Sequence, residues 1–284
     1  MNVRRALSYV LWPLITGGAI ALTVSGMRLG YPVMGFMLTY LLLALTIALL
    51  ERFMPHEPAW LLNDGQMPAD LSHTVLSKGF AEVLIFVITF MGIAEWLAPS
   101  GGPLWPVAWP LTIQVTLGLI VVEFGLYWKH RFAHEWPWLW RFHAVHHSVI
   151  RLWFFNTGRF HFVDTVTGLA VGMPVLLLLG APRDVLLLVS AVTAIIGMLT
   201  HCNIEMRCGP LNYVFNTPCL HRWHHSKVLH EGNRNYGENI VIFDILFGTY
   251  FNEDRRPPVD IGITHPMPAS FWEQLKVPFT KQPL

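Results

Sequence analysis

Eleven of the residues that can do chemistry in this chain fall into a pattern, and ten of them are histidines. His130-Arg131-Phe132-Ala133-His134 is an HxxxH box. Four helical residues turn through about 400°, so its two imidazoles leave one side of a helix one turn apart. Nine residues later comes His143-Ala144-Val145-His146-His147, and far downstream the same HxxHH spacing returns as His221-Arg222-Trp223-His224-His225. Spacings of three and four residues place each trio near one helix face, where adjacent imidazoles splay toward two neighbouring ions. Neutral imidazole is the commonest protein ligand for iron, zinc and copper. Three boxes supply eight imidazoles, whereas one tetrahedral zinc takes three or four ligands, so the count points to two ions with open positions. Open coordination suits iron that activates dioxygen, although nitrogen ligands alone do not select iron over zinc.

Two isolated histidines extend the set. His201 ends an apolar segment at the same inferred depth as the boxes, and His161 stands in Arg159-Phe160-His161 before another. Both are candidate ligands. Glu123 lies seven residues before His130 on the same helix face, inside an apolar stretch. A carboxylate there is costly unless it faces the protein interior, so Glu123 is a candidate catalytic or ligand-orienting residue. His56, His73, His230 and His265 lack ligand spacing and read as structural.

The elements that must position these boxes are membrane helices. The 284 residues are 53% hydrophobic and 13% charged, too apolar for an ordinary soluble domain. Crossing a bilayer takes roughly 20 apolar residues. Stretches 6–26, 31–50, 75–97 and 109–128 approach that length, and 163–180 and 184–201 form a further pair around Gly180-Ala181-Pro182-Arg183 that spans or re-enters. The spacing therefore predicts an all-α integral membrane bundle of about four to six membrane helices with a helical cap that carries the boxes. Arg4 and Arg5 put the N-terminus in the cytoplasm, and counting crossings then puts every box on the cytoplasmic face. Arg131 and Arg222 read as positive-inside anchors, with a lipid head-group contact as the alternative.

Other classes fit less well. The net charge of +1 and the absence of a basic tract argue against nucleic-acid binding. Cys202, Cys208 and Cys219 contain no CxxC pair and read as reduced residues. A zinc hydrolase calls for HExxH, and the HE dipeptides at His56, His134 and His230 have no histidine three residues on. A non-catalytic metal carrier would string its ligands through several membrane segments rather than gather them at one face.

These residues together resemble the fatty acid hydroxylase superfamily, which includes sterol desaturases and alkylglycerol monooxygenase. The resemblance covers residues 80–252. It rests on Glu123, Tyr127-Trp128, His130-Arg131 and His134-Glu135; on His143 to Ser148; on Asn156, Arg159, His161 and Asp164, with Phe162 where the family has proline; and on Asn216-Thr217-Pro218, the third box, Asn235-Tyr236-Gly237, Phe243-Asp244 and Phe247-Gly248-Thr249. It implies a membrane di-iron oxidoreductase that hydroxylates a lipid with dioxygen, with lipid desaturation as the alternative outcome. The nine-residue gap between the first two boxes favours the hydroxylase branch. The chain carries no GxGxxG fingerprint and resembles no electron carrier. Electrons are thus expected from a separate b-type cytochrome, ferredoxin or reductase. On this reading residues 1–79 anchor the chain, 80–252 form the catalytic domain and 253–284 a cytoplasmic tail.

Overall fold

The computed structural model describes residues 3–80, 83 and 104–284, and the expected segment 75–97 lies almost wholly outside them. Among the described residues the chain is helical, with isolated antiparallel bridges such as Pro55–Ile204 and no strand. Two compact units are woven from it. The first comprises residues 1–64, 149–157 and 190–262, and the second 65–148, 158–189 and 263–284.

In the first unit, α1 (Val3–Arg28) and α2 (Pro32–Phe53) make a helical hairpin. Gly30, at φ +82°, adopts the left-handed conformation that ends α1, and Pro32 opens α2. The buried positions of α1, Ser8, Trp12, Thr16, Ala19 and Thr23, repeat every three or four residues, as do Thr39, Leu43, Ile47 and Glu51 of α2. Near the turn the backbones meet: a Cβ at Gly26 would stand 2.6 Å from the Gly35 Cα. Only glycine fits there. The outer side of α2 exposes Met34, Leu38, Leu41, Leu45 and Leu49, a surface suited to hydrocarbon rather than water. At its end, Glu51 is buried and its Oε1 accepts the backbone N–H groups of Phe154 and Asn203, both at 2.9 Å. One membrane-helix carboxylate thereby fixes the two loops that flank the functional residues of this unit.

In the second unit, α3 (Met67–Ser72) runs into a π-helical turn, and α4 (Leu111–Glu135) is followed at once by α5 (Pro137–His147). Trp136 ends the first and caps the second in an extended conformation, and Pro137 starts α5. The buried stripe of α4 runs Gln114, Gly118, Val122, Glu123, Leu126, Tyr127, His130, which carries an apolar packing face directly into the first box. The 163–180 stretch is broken at Gly172 into α6 (Phe162–Val171) and α7 (Met173–Leu178), and α8 (Arg183–Thr200) follows. Neither piece of the broken pair reaches the roughly 20 residues needed to cross. Among the described residues four helices, α1, α2, α4 and α8, are long and apolar enough to do so. The third box begins on α9 (Pro218–His224), a short helix of the first unit.

Because Gly26 leaves no room for a side chain, Gly26→Leu is expected to wedge α1 from α2 at a cost of about 1–3 kcal/mol. The expected readout is a lower unfolding midpoint in detergent, and an unchanged midpoint would show that the hairpin tolerates separation.

Candidate metal centre

Within the second unit, α4 contributes His130 and His134 and α5 contributes His143 and His147. Each offers a ring nitrogen, and these nitrogens lie within 4.8 Å of one another. His147 Nε2 is 3.1 Å from both His134 Nε2 and His143 Nε2. Within the first unit His201, at the end of α8, joins His221 and His225, again with ring nitrogens within 4.8 Å of one another. His221 and His225 approach to 3.1 Å through their Nε2 atoms. All seven except His134 are buried.

The other ring nitrogens show which tautomers these histidines hold. His143 Nδ1 lies 2.9 Å from Asp164 Oδ2, and His146 Nδ1 lies 3.3 Å from the Arg159 carbonyl. His201 Nδ1 is 2.8 Å from Asn156 Oδ1, and His224 Nδ1 is 2.7 Å from the Arg234 carbonyl. Each of these partners can only accept, so each imidazole donates its Nδ1–H and keeps a lone pair on Nε2. His143 thus turns an Nε2 lone pair toward His147 Nε2 at 3.1 Å, and a cation among such closely spaced ring nitrogens would take their lone pairs as coordination bonds. Two cis ligands at roughly 2.1 Å from one ion stand about 3 Å apart, which is the spacing observed. The donor set fits two metal ions.

The acceptors are themselves held. Asp164, at the start of α6, is buried and pairs through Oδ1 with Lys129 Nζ at 2.6 Å. Arg159 is buried too, paired with Asp70 at 3.0 Å and donating to the Val145 carbonyl, which ties its loop to α5. Asn156 also donates to the Arg151 carbonyl at 2.7 Å. In the first unit Asp244 accepts from Tyr236 N, Gly237 N and Thr249 Oγ1 at 2.8, 2.8 and 2.7 Å. Asn235 takes a positive φ of 54° beside it and hydrogen-bonds the Phe251 backbone. This network shapes the loop whose Arg234 carbonyl receives His224.

The remaining sequence candidates are placed as follows. His146 stacks on Phe160 at 4.1 Å, and His224 lies edge-on to Tyr236. His161 belongs to neither histidine group: its Nδ1 accepts from Val163 N, capping α6, and its Nε2 is 3.2 Å from the Leu275 carbonyl. Glu123 is fully buried on the α4 stripe and is likewise in neither group. Arg131 is a surface residue paired with Glu135, whereas Arg222 is buried and donates to the Cys202 and Ile204 carbonyls. His73 has no ligand spacing; its Nδ1 donates to the Phe160 carbonyl, and its Nε2 lies 2.9 Å from the side-chain amide of Gln274.

Comparison with known proteins agrees with this geometry. The family model described as fatty acid hydroxylase matches residues 115–249, a range that holds every box. The ornithine lipid hydroxylase of Rhizobium tropici is 49% identical over 98% of this chain and 85% of its own length. The chain belongs to the fatty acid hydroxylase family. Human alkylglycerol monooxygenase is 31% identical over 56% of the chain, which spans 34% of that protein, and the zebrafish (Danio rerio) enzyme is 32% identical over 53% and 33%. No solved structure matches. Membership makes the chain an oxidoreductase of a family whose relatives are lipid hydroxylases, and its apolar helices make it a membrane protein.

Asp164→Asn keeps the shape of the acceptor but removes the charge that faces Lys129 and His143. It is expected to weaken metal binding by roughly 10- to 100-fold, measured by titration with a competing chelator. Wild-type affinity would mean that Asp164 does not orient His143. Asp244→Ala leaves two buried backbone N–H groups without their acceptor, at a cost of about 2 kcal/mol or more. Thermal unfolding of the purified protein measures that loss.

Proposed function

We propose that this chain is a membrane di-iron monooxygenase that hydroxylates ornithine lipid, with dioxygen as co-substrate and electrons from a separate carrier. The observation that carries the reading is the pair of histidine groups with Nε2 atoms as close as 3.1 Å, in a chain 49% identical to an ornithine lipid hydroxylase over nearly its whole length. The proposed ligands are His130, His134, His143, His146, His147, His201, His221, His224 and His225. The HxxHH spacing supports His146 and His224 as ligands, since the Nδ1–H of each is already committed to a carbonyl. His161 is proposed to position the start of α6, and Glu123 to act behind the ligands, two helical turns before His130 on the same face.

Bound iron supplies the electron transfers that activate dioxygen toward an unactivated C–H bond. The protein's part is to hold the imidazoles in one tautomer, to keep water from the buried nitrogens and to present an apolar flank to the substrate. Asp164 and Asn156 do the first through His143 and His201. The exposed leucines of α2 and the outer side of α1 do the last. The cytoplasm is the proposed side of the boxes, because Arg4 and Arg5 precede the first apolar helix. A ferredoxin or b-type cytochrome with its reductase is the proposed donor.

The test is single-turnover and steady-state assay of the purified protein in micelles with ornithine lipid, a reduced ferredoxin system and heavy-oxygen-labelled dioxygen. One labelled oxygen atom in the lipid is expected, and none with His147→Ala. Loss of two hydrogens without oxygen gain would make the enzyme a desaturase, and label arriving from water would contradict a monooxygenase.

A further inference from the structure

Away from the histidine nitrogens, the first unit contains a polar cavity of about 930 Å³. Its wall is charged. Six arginines line it, Arg4, Arg5, Arg207, Arg222, Arg255 and Arg256, against three carboxylates, Glu205, Glu253 and Asp254. Most of these charges are already matched within the wall. Glu205 takes His56 at 3.0 Å and Arg256 at 3.4 Å, and Glu253 takes Arg255. His56 is neutral at pH 7, since burial first, and the nearby Arg222 guanidinium second, push it down to about 4.

Three groups are left over. Arg5 and Asp254 carry opposite charges, and neither side chain has a hydrogen-bond or ion-pair partner among the described residues. The third is Arg222, 1% exposed, whose Nη2 serves two carbonyls and whose charge meets no carboxylate at ion-pair distance among the described residues. A buried guanidinium without a counter-ion is costly, and a cavity lined by it together with an unpaired cation and an unpaired anion suits a ligand bearing both signs.

The cavity also lies at the entry to a membrane helix. Arg4, Arg5, Ser8 and Tyr9 of α1 line it, and the same helix continues outward with exposed Leu7, Val10 and Leu14. A head group seated among the arginines leaves its acyl chains free to run along that apolar surface, which a soluble amino acid would not use.

We propose that this cavity seats the head group of a lipid that keeps both a carboxylate and an ammonium, with Arg5 and Arg222 on the carboxylate and Asp254 on the ammonium. The proposal rests on the reading of the chain as an ornithine lipid hydroxylase and gives that substrate its place. Arg222 and Trp223 line the cavity between two histidines of the third box, so the head group is held by the same short helix that carries metal ligands.

The test titrates the iron-loaded enzyme in micelles with ornithine lipid, its carboxyl methyl ester, its N-acetylated form and free ornithine. Binding is read by tryptophan fluorescence and turnover by product mass. Arg5→Gln and Asp254→Asn sit on exposed side chains, so folding and iron content are expected to stay as in the wild type. Each is expected to weaken binding of ornithine lipid about tenfold and to raise its KM correspondingly, while Arg5→Gln no longer distinguishes the methyl ester and Asp254→Asn no longer distinguishes the N-acetyl form. Equal binding of all three lipids to the wild type, or unchanged affinity in both variants, would overturn the proposal even if turnover is normal. Free ornithine binding as tightly as the lipid would overturn the lipid assignment. Charge-selective binding without hydroxylation would leave the cavity standing and remove ornithine lipid as the substrate of the reaction.

Discussion

Imidazole nitrogens crowded together inside an apolar protein are the constraint on which this structure depends. Ring nitrogens 3.1 Å apart, with the Nδ1–H of His143 and of His201 committed to acceptors behind them, are spaced to share a cation. Each unit makes such a group, and each does it with a different mixture of helix and loop. In the second unit one turn of α4 and one of α5 face the same point. In the first, the end of α8 and the short helix α9 do the same.

Holding these nitrogens requires that every ring be fixed from behind. A carboxylate, an asparagine oxygen and two backbone carbonyls take the Nδ1–H of His143, His201, His146 and His224. Asp164 lies in the first turn of α6, and the segments that carry the other acceptors are themselves stiffened by buried polar residues: Arg159 with Asp70, Asn156 with Arg151, and Asp244 with two backbone N–H groups. The membrane helices take part too. Glu51 closes α2 by accepting the backbone of both loops in its unit, which makes a transmembrane hairpin part of the scaffold rather than a simple anchor.

Much of this was legible in the sequence because it is local. Apolar runs of about membrane-spanning length located α1, α2, α4 and α8, and the three-and-four spacing of the boxes located the histidine faces. The face drawn back from His130 through Tyr127 to Glu123 is buried throughout. What is not local was not legible. Asn156 meets His201 from 45 positions away, and Asp70 meets Arg159 from 89, distances at which no local pattern connects two residues. The family signature marked Asn156, Asp164 and Asp244 without a task for them, and the hydrogen bonds supply it. Arg222 was read as a surface anchor from its charge alone, yet it is buried, because carbonyls of the loop after α8 take its Nη2. The break at Gly172 was hidden by an unbroken run of apolar side chains, where Gly172, at φ −100° and ψ −103°, and Pro174 decide the geometry.

The most direct measurement is the metal content of anaerobically purified protein. Two iron ions per chain are expected, with spectroscopic evidence of imidazole ligation, and loss of iron is expected when His221 of one group or His134 of the other is replaced by alanine. A single ion, or an ion retained in both variants, would contradict the assignment of two histidine groups to two metals.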